Sequence, residues 1–246
     1  MNRKPSHTNL IKSAAAGATL LVAAVAAPSH AGEWSANAAM TNNYIWRGLT
    51  QTENEAAIQG GIDYSHESGF YAGTWVSNVN YGPSDVYSYE HDMYAGYAFE
   101  TGAISWDVGY LYYNYDKEAN FDFGEVYLNV GIGGFSGAVY VLTNTEADEA
   151  EGQDFGAGST YYVSADYGFE VSNGIGIGLH VGYHDGDFAE AFNGSAEGYF
   201  DYNVSVSKGG FAFMVTGTDV EGPAADGGYD NDEIKFVVSY AVDVSM

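Results

Sequence analysis

The chain has 246 residues, with 33 acidic side chains against seven Lys and Arg and a formal charge of −26. Such a surface repels nucleic acid, whose binding needs cations that displace phosphate counterions. There is no cysteine, so no disulfide scaffold, and 22 Tyr with 13 Phe are too many for an acidic disordered chain, which lacks aromatics.

The first element is an export signal. Arg3, Lys4 and Lys12 precede an apolar run from Ala14 to Ala27; Pro28 ends it, and Ser29-His30-Ala31 places small residues at −3 and −1. This predicts a secretory signal peptide over 1–31, cleaved after Ala31. The run falls short of the ~20 residues that cross a bilayer. Residues 32–246 then read as one domain, because no Pro-rich or Ser-rich linker divides them. Only Arg47, Lys117, Lys208 and Lys235 are basic beyond the signal.

From residue 33 onward the pattern is one of strands. Side chains alternate between two faces of a strand, and a membrane barrel shows this as segments of roughly 10 residues separated by turns. Segments 33–43, 56–66 and 70–80 come first; in 70–80 the two parities are nearly equal and no face is assigned. In 87–99, Tyr87, Tyr89, Met93, Ala95 and Tyr97 oppose Glu90, Asp92 and Gly96. In 102–113, Ile104, Trp106, Val108, Tyr110 and Tyr112 oppose Ser105, Asp107 and Gly109. In 124–132, Val126, Leu128, Val130 and Ile132 oppose Glu125, Tyr127 and Asn129. Segments 135–144 and 160–168 are weaker. In 174–184, Ile175, Ile177, Leu179, Val181 and Tyr183 oppose glycines with His180 and His184, and in 197–207 Phe200, Tyr202, Val204 and Val206 oppose Asp201, Asn203 and Ser205. Segment 210–218 follows. The last segment is the clearest: Phe236, Val238, Tyr240, Val242, Val244 and Met246 oppose Lys235, Ser239, Asp243 and Ser245.

These segments predict an all-β fold: a transmembrane antiparallel up-and-down β-barrel of about 12 strands. The connections support it, being short near 66–69, 100–102, 133–134, 168–173 and 208–209, and longer near 44–55, 81–86, 114–122, 145–159, 185–196 and 219–232. Outer-membrane barrels of Gram-negative bacteria have short periplasmic turns and long outside loops. A soluble β-sandwich would also alternate. Against it stand the aromatics toward strand ends, as a membrane girdle requires, and an opposite parity read as small and polar.

Residues 42–80 carry a family likeness: Asn42-Asn43-Tyr44-Ile45-Trp46-Arg47-Gly48-Leu49-Thr50-Gln51, then Gln59-Gly60-Gly61-Ile62-Asp63-Tyr64-Ser65-His66, then Gly69-Phe70-Tyr71-Ala72-Gly73-Thr74-Trp75-Val76-Ser77-Asn78-Val79. This resembles the TorF-type porins of proteobacteria, a family long classed as of unknown function. The family usually has Ser-Asp where Asn42-Asn43 stands, and Pro-Ala where Ala56-Ala57 stands. The resemblance implies an outer-membrane location. Barrels of this class present a last strand to the barrel-assembly machinery, usually ending in an aromatic; here it ends in Met246.

By parity the lumen receives Asp63, Glu90, Asp92, Asp107, Glu125, Asp166, Asp201 and Asp243, with Lys235 as the basic strand residue. Carboxylates in a dry core are costly, so these predict a narrow aqueous channel that favours cations, as acidic rings do. Arg47 is expected either to shape a constriction with those acids, or to bind a lipopolysaccharide phosphate or cap a turn beside Gly48. His180 and His184, with Asp185 and Asp187 near, do not suit one metal, since strand rise separates them by more than about 10 Å. Loop acids such as Asp230 and Asp232 lack the EF-hand spacing for Ca²⁺. Gly134-Phe135-Ser136-Gly137 is not a nucleophile elbow. The expected function is a monomeric or trimeric porin for small hydrophilic or cationic solutes, with lipid and lipopolysaccharide around it and neither cofactor nor catalytic step. A non-conducting barrel that binds partners through its acidic loops is the alternative, and an outer-membrane enzyme is a third.

Overall fold

The computed structural model describes residues 32–82, 85–194, 198–220 and 231–246. The signal segment 1–31, Asp230 and most of the loop expected over 219–232 lie outside the described residues. Twelve strands form one closed antiparallel barrel: β1 (Glu33–Thr41), β2 (Ala57–Ser65), β3 (Phe70–Asn78), β4 (Tyr89–Thr101), β5 (Ile104–Tyr115), β6 (Phe123–Ile132), β7 (Phe135–Thr145), β8 (Tyr161–Val171), β9 (Ile175–Asp185), β10 (Gly198–Lys208), β11 (Phe211–Thr218) and β12 (Lys235–Ser245). Each expected segment becomes one strand, within a few residues at either end. Each strand pairs with its chain neighbours, and β1 closes the ring by pairing with both β2 and β12. The seam continues past β1, where the Asn42 side chain accepts from the Val238 N–H at 2.7 Å and donates to the Phe236 carbonyl. Closure pairs the edges that lipid would otherwise leave unsatisfied.

The outward parity is apolar on every strand. Ile58, Val76, Met93, Val108, Leu128, Leu179, Val204, Val238 and Val242 point outward and are exposed. Aromatic pairs band the periplasmic rim, among them Phe99 with Trp106, Phe135 with Tyr167 and Phe211 with Tyr240. A second group, Tyr161, Tyr183 and Phe200, lies toward the outer rim. An apolar belt between aromatic girdles is the surface a lipid-embedded barrel presents. Strands of 8 to 13 residues match the roughly 9–11 needed for a tilted crossing.

The β3 faces, which alternation left open, are settled by register: Tyr71, Trp75 and Ser77 point inward and are buried, while Phe70 and Val76 point out. The interior is less small than its sequence suggested. Tyr94, Tyr113, Tyr115, Tyr127, Tyr140, Tyr162 and Tyr199 are all buried there. Glycines on neighbouring strands make room for several of them. A Cβ at Gly73 would stand 2.4 Å from the Tyr94 hydroxyl, and one at Gly109 2.4 Å from that of Tyr127.

The first long connection does not stay outside. It folds inward as a short inner hairpin, Ile45–Trp46 pairing with Leu49–Thr50. A two-turn helix, α1 (Asp187–Asn193), caps the outer mouth from the fifth loop.

Candidate functional site: an inner hairpin across the lumen

The hairpin turns on Arg47 and Gly48, both at positive φ, 46° and 80°. A two-residue loop with both φ positive is the tight turn that matches strand twist. Glycine takes it freely; an arginine there costs roughly 1–2 kcal/mol and must be held by its surroundings. Gly48 also has no room for a side chain: a Cβ would lie 2.5 Å from Thr218 Cγ2 and 2.6 Å from Asp201 Cβ. The tip is therefore pressed against the wall formed by β10 and β11.

Arg47 is what holds it. Its Nη2 donates to Glu125 Oε2 of β6 at 2.6 Å, and both side chains are almost fully buried. Its Nη1 lies 3.0 Å from His184 Nε2. A guanidinium has only donors, so this nitrogen accepts, and the ring proton sits on Nδ1, facing the Tyr199 hydroxyl at 3.3 Å. The guanidinium also stacks over Trp46, Tyr162 and Tyr140, at 4.2, 4.4 and 5.3 Å from the ring centres. Each such contact adds ~0.5–2 kcal/mol where water is excluded. A β-bulge between Gly124 and Glu125 re-aims the wall beside the ion pair, a common use of bulges near functional groups.

The rest of the hairpin is tied down as fully. Tyr44 donates to Glu90 Oε1 at 2.7 Å, and Tyr115 donates to the other Glu90 oxygen at 2.8 Å. Asn43 accepts from Thr50 and donates to Asn54, both at 2.7 Å. Above it, Trp46 meets Phe192 of α1, and Phe121, Phe123, Phe155 and Phe188 pack ring on ring. The outer half of the interior is thus filled with side chains, where the sequence predicted a narrow aqueous channel. The physical reason is the inward turn at Arg47-Gly48, which no alternation pattern records.

Toward the periplasm the interior is wetter. Asp63, Asp107 and Asp166 are partly exposed, and Asp243 is exposed. Tyr94 donates to Asp63. Tyr71 donates to Asp107 at 2.5 Å and shares a short contact with Tyr127. His180 bridges the two zones, its Nδ1 2.7 Å from Asp166 and its Nε2 2.9 Å from Asp201. With both ring nitrogens on carboxylates, His180 has none left to activate a serine.

The nine strand residues singled out from parity all lie on the inward face. Glu90, Asp92, Glu125, Asp201 and Lys235 fall in the buried outer half, and Asp63, Asp107, Asp166 and Asp243 in the wetter half. Lys235 Nζ donates to the backbone carbonyls of Asn231 and Glu233 at the outer rim. Among the described residues no three His, Asp or Glu side chains are placed to hold a metal ion. The residues that sequence reasoning missed are the interior tyrosines, whose partners lie strands away, and Trp75, whose segment showed no clear parity.

The family of bacterial proteins of unknown function termed Gcw_chp matches residues 25–242. The chain belongs to the Gcw_chp family. No curated protein matches it. Among solved structures, a KdgM porin is similar at 11% identity, TM-score 0.51, covering 88% of this chain and 99% of that one. A KdgM porin in complex with disordered oligogalacturonate gives TM-score 0.52 at the same identity and coverage. At such identities the likeness is one of fold, that of outer-membrane porin barrels. Within this Gcw_chp member, the stretch Asn42 to Gln51 is the inner hairpin itself.

Proposed function

We propose that the protein is an outer-membrane porin of the TorF type, giving passive diffusion to small hydrophilic solutes and favouring cations. The supporting observation is the interior charge. Eight carboxylates, Asp63, Glu90, Asp92, Asp107, Glu125, Asp166, Asp201 and Asp243, face inward, while Arg47 and Lys235 are the basic residues there among the described residues. Carboxylate-lined pores favour cations. Oligogalacturonate, the ligand in one similar structure, is a polyanion that these acids would repel, so it is not carried over.

In this reading the signal over 1–31 directs export, the barrel-assembly machinery inserts the chain, and the belt meets lipid and lipopolysaccharide. Arg47 and Glu125 form the constriction, and passage requires the inner hairpin to shift. No cofactor or chemical step is needed. Purified protein in planar bilayers under a KCl gradient tests it. Cation-selective current is expected; anion preference would reject the charge argument. The packed outer half specifically favours one other reading, a sealed barrel that binds partners through its acidic loops. Bilayers that stay silent even after the hairpin is removed would select that reading.

A further inference from the structure

Asp92 stands two residues below Glu90 on the inward face of β4 and is fully buried. The other buried carboxylates of the interior are accounted for. Glu90 accepts from two tyrosines, Glu125 from Arg47 and Tyr113, and Asp201 from Tyr162. Asp92 is the exception: neither carboxylate oxygen has a hydrogen-bond partner among the described residues. The nearby charges of Glu90 and Glu125 are of its own sign. The buried Arg47 is committed to Glu125 and its three rings. A buried carboxylate without donor or countercharge is among the costliest groups a fold can keep.

What surrounds it is aromatic. The register sets Asp92 between Trp75 of β3 and Tyr113 of β5. Tyr94 follows two residues on along the inward face, and Tyr44 leans on Trp75 with ring centres 5.5 Å apart. All four rings are less than a tenth exposed. A carboxylate among buried aromatic side chains suits a small cation, through its charge and, where a ring presents its face, through the ring quadrupole.

We propose that Asp92 anchors a binding site for a monovalent cation, an alkali ion or a protonated primary amine, walled by Trp75, Tyr94 and Tyr113. The site rests on the cation-favouring porin reading and gives that pathway its selective step. One carboxylate balances one positive charge. Calcium would need six to eight oxygens, and no three-residue metal cluster exists among the described residues.

Crystals of the protein grown in rubidium chloride test the site directly. A Rb⁺ anomalous peak is expected beside the Asp92 carboxylate, absent in Asp92→Asn, and displaced by methylammonium if the site prefers amines. In parallel, wild-type Tm should rise saturably when potassium replaces N-methyl-D-glucamine at fixed ionic strength. That rise should vanish in Asp92→Asn and persist in Asp148→Asn, a change in an exposed loop. Ordered water alone at Asp92, a peak unchanged by the substitution, or a Tm indifferent to the cation would overturn the proposal. The bilayer recording separates the two ideas. Cation-selective current with no Rb⁺ at Asp92 keeps the porin and rejects the site; a Rb⁺ peak in a protein that never conducts does the reverse.

Discussion

The two halves of the barrel interior solve the same problem differently. Both place carboxylates on an inward face that a closed sheet shields from water. Near the periplasm the solution is partial hydration plus neutral donors: Asp63 and Asp107 each take a tyrosine hydroxyl and an asparagine amide. Near the outside the solution is a countercharge carried in from elsewhere in the chain, since Arg47 arrives on a hairpin from the first loop to meet Glu125. The lesson is that a barrel of this width has room for one inserted segment, and the inserted segment decides whether the lumen is open.

Substitutions that attack the outer half should have the largest effects. Removing Arg47 in Arg47→Ala leaves Glu125 buried and uncompensated, a loss of about 3–5 kcal/mol. Chemical unfolding should show this, and conductance should rise as the hairpin loosens. Arg47→Met with Glu125→Leu should recover most of that stability, since replacing both partners by apolar groups is near neutral. Gly48→Val places a β-branched residue at φ +80° against Asp201 and Thr218. Strain and overpacking of roughly 1–3 kcal/mol each should undock the hairpin. Limited proteolysis between residues 44 and 52 would reveal it, with strand content unchanged by circular dichroism.

The wetter half should respond less. Tyr71→Phe removes the donor to Asp107, a loss of about 1 kcal/mol, with little change in conductance. An equal loss from Tyr71→Phe and Arg47→Ala would erase the distinction between the halves. The smallest expected effect lies outside the membrane. Asp116 accepts from the backbone and side chain of Ser88 and the backbone of Tyr89. Slight burial raises its pKa, but these hydrogen bonds outweigh it and hold the carboxyl below the usual 3.8. A depressed folded pKa stabilises the protein above that value and ceases to do so as pH falls through the folded pKa. Wild type and Asp116→Asn should therefore differ in Tm at neutral pH and converge as the pH falls below 3.8 and through the lowered folded pKa.

Much of the barrel is legible because lipid and interior impose opposite demands on adjacent residues. Phe236 to Met246 shows this best, and the strand bounds follow from it. The β3 faces were not legible, since Phe70 and Val76 outside match Tyr71 and Trp75 inside in bulk. The filled outer half was not legible either. Tyr113, Tyr115, Tyr162 and Tyr199 have inward parity in sequence, yet whether they border water or an inserted hairpin depends on a segment over 60 residues away. Arg47 was singled out as the arginine beyond the signal. Its partner could not be, because Glu125 reaches it only through the closed register of the barrel.

The central claim is that the inner hairpin seals the outer half of the lumen. Paired single-channel recordings, with wild type set against a variant whose residues 44–52 are replaced by a short Gly-Ser link, test it most directly. Several-fold larger conductance is expected in the variant, with cation preference retained. Identical conductance in the two proteins, or an anion-selective variant, would contradict it.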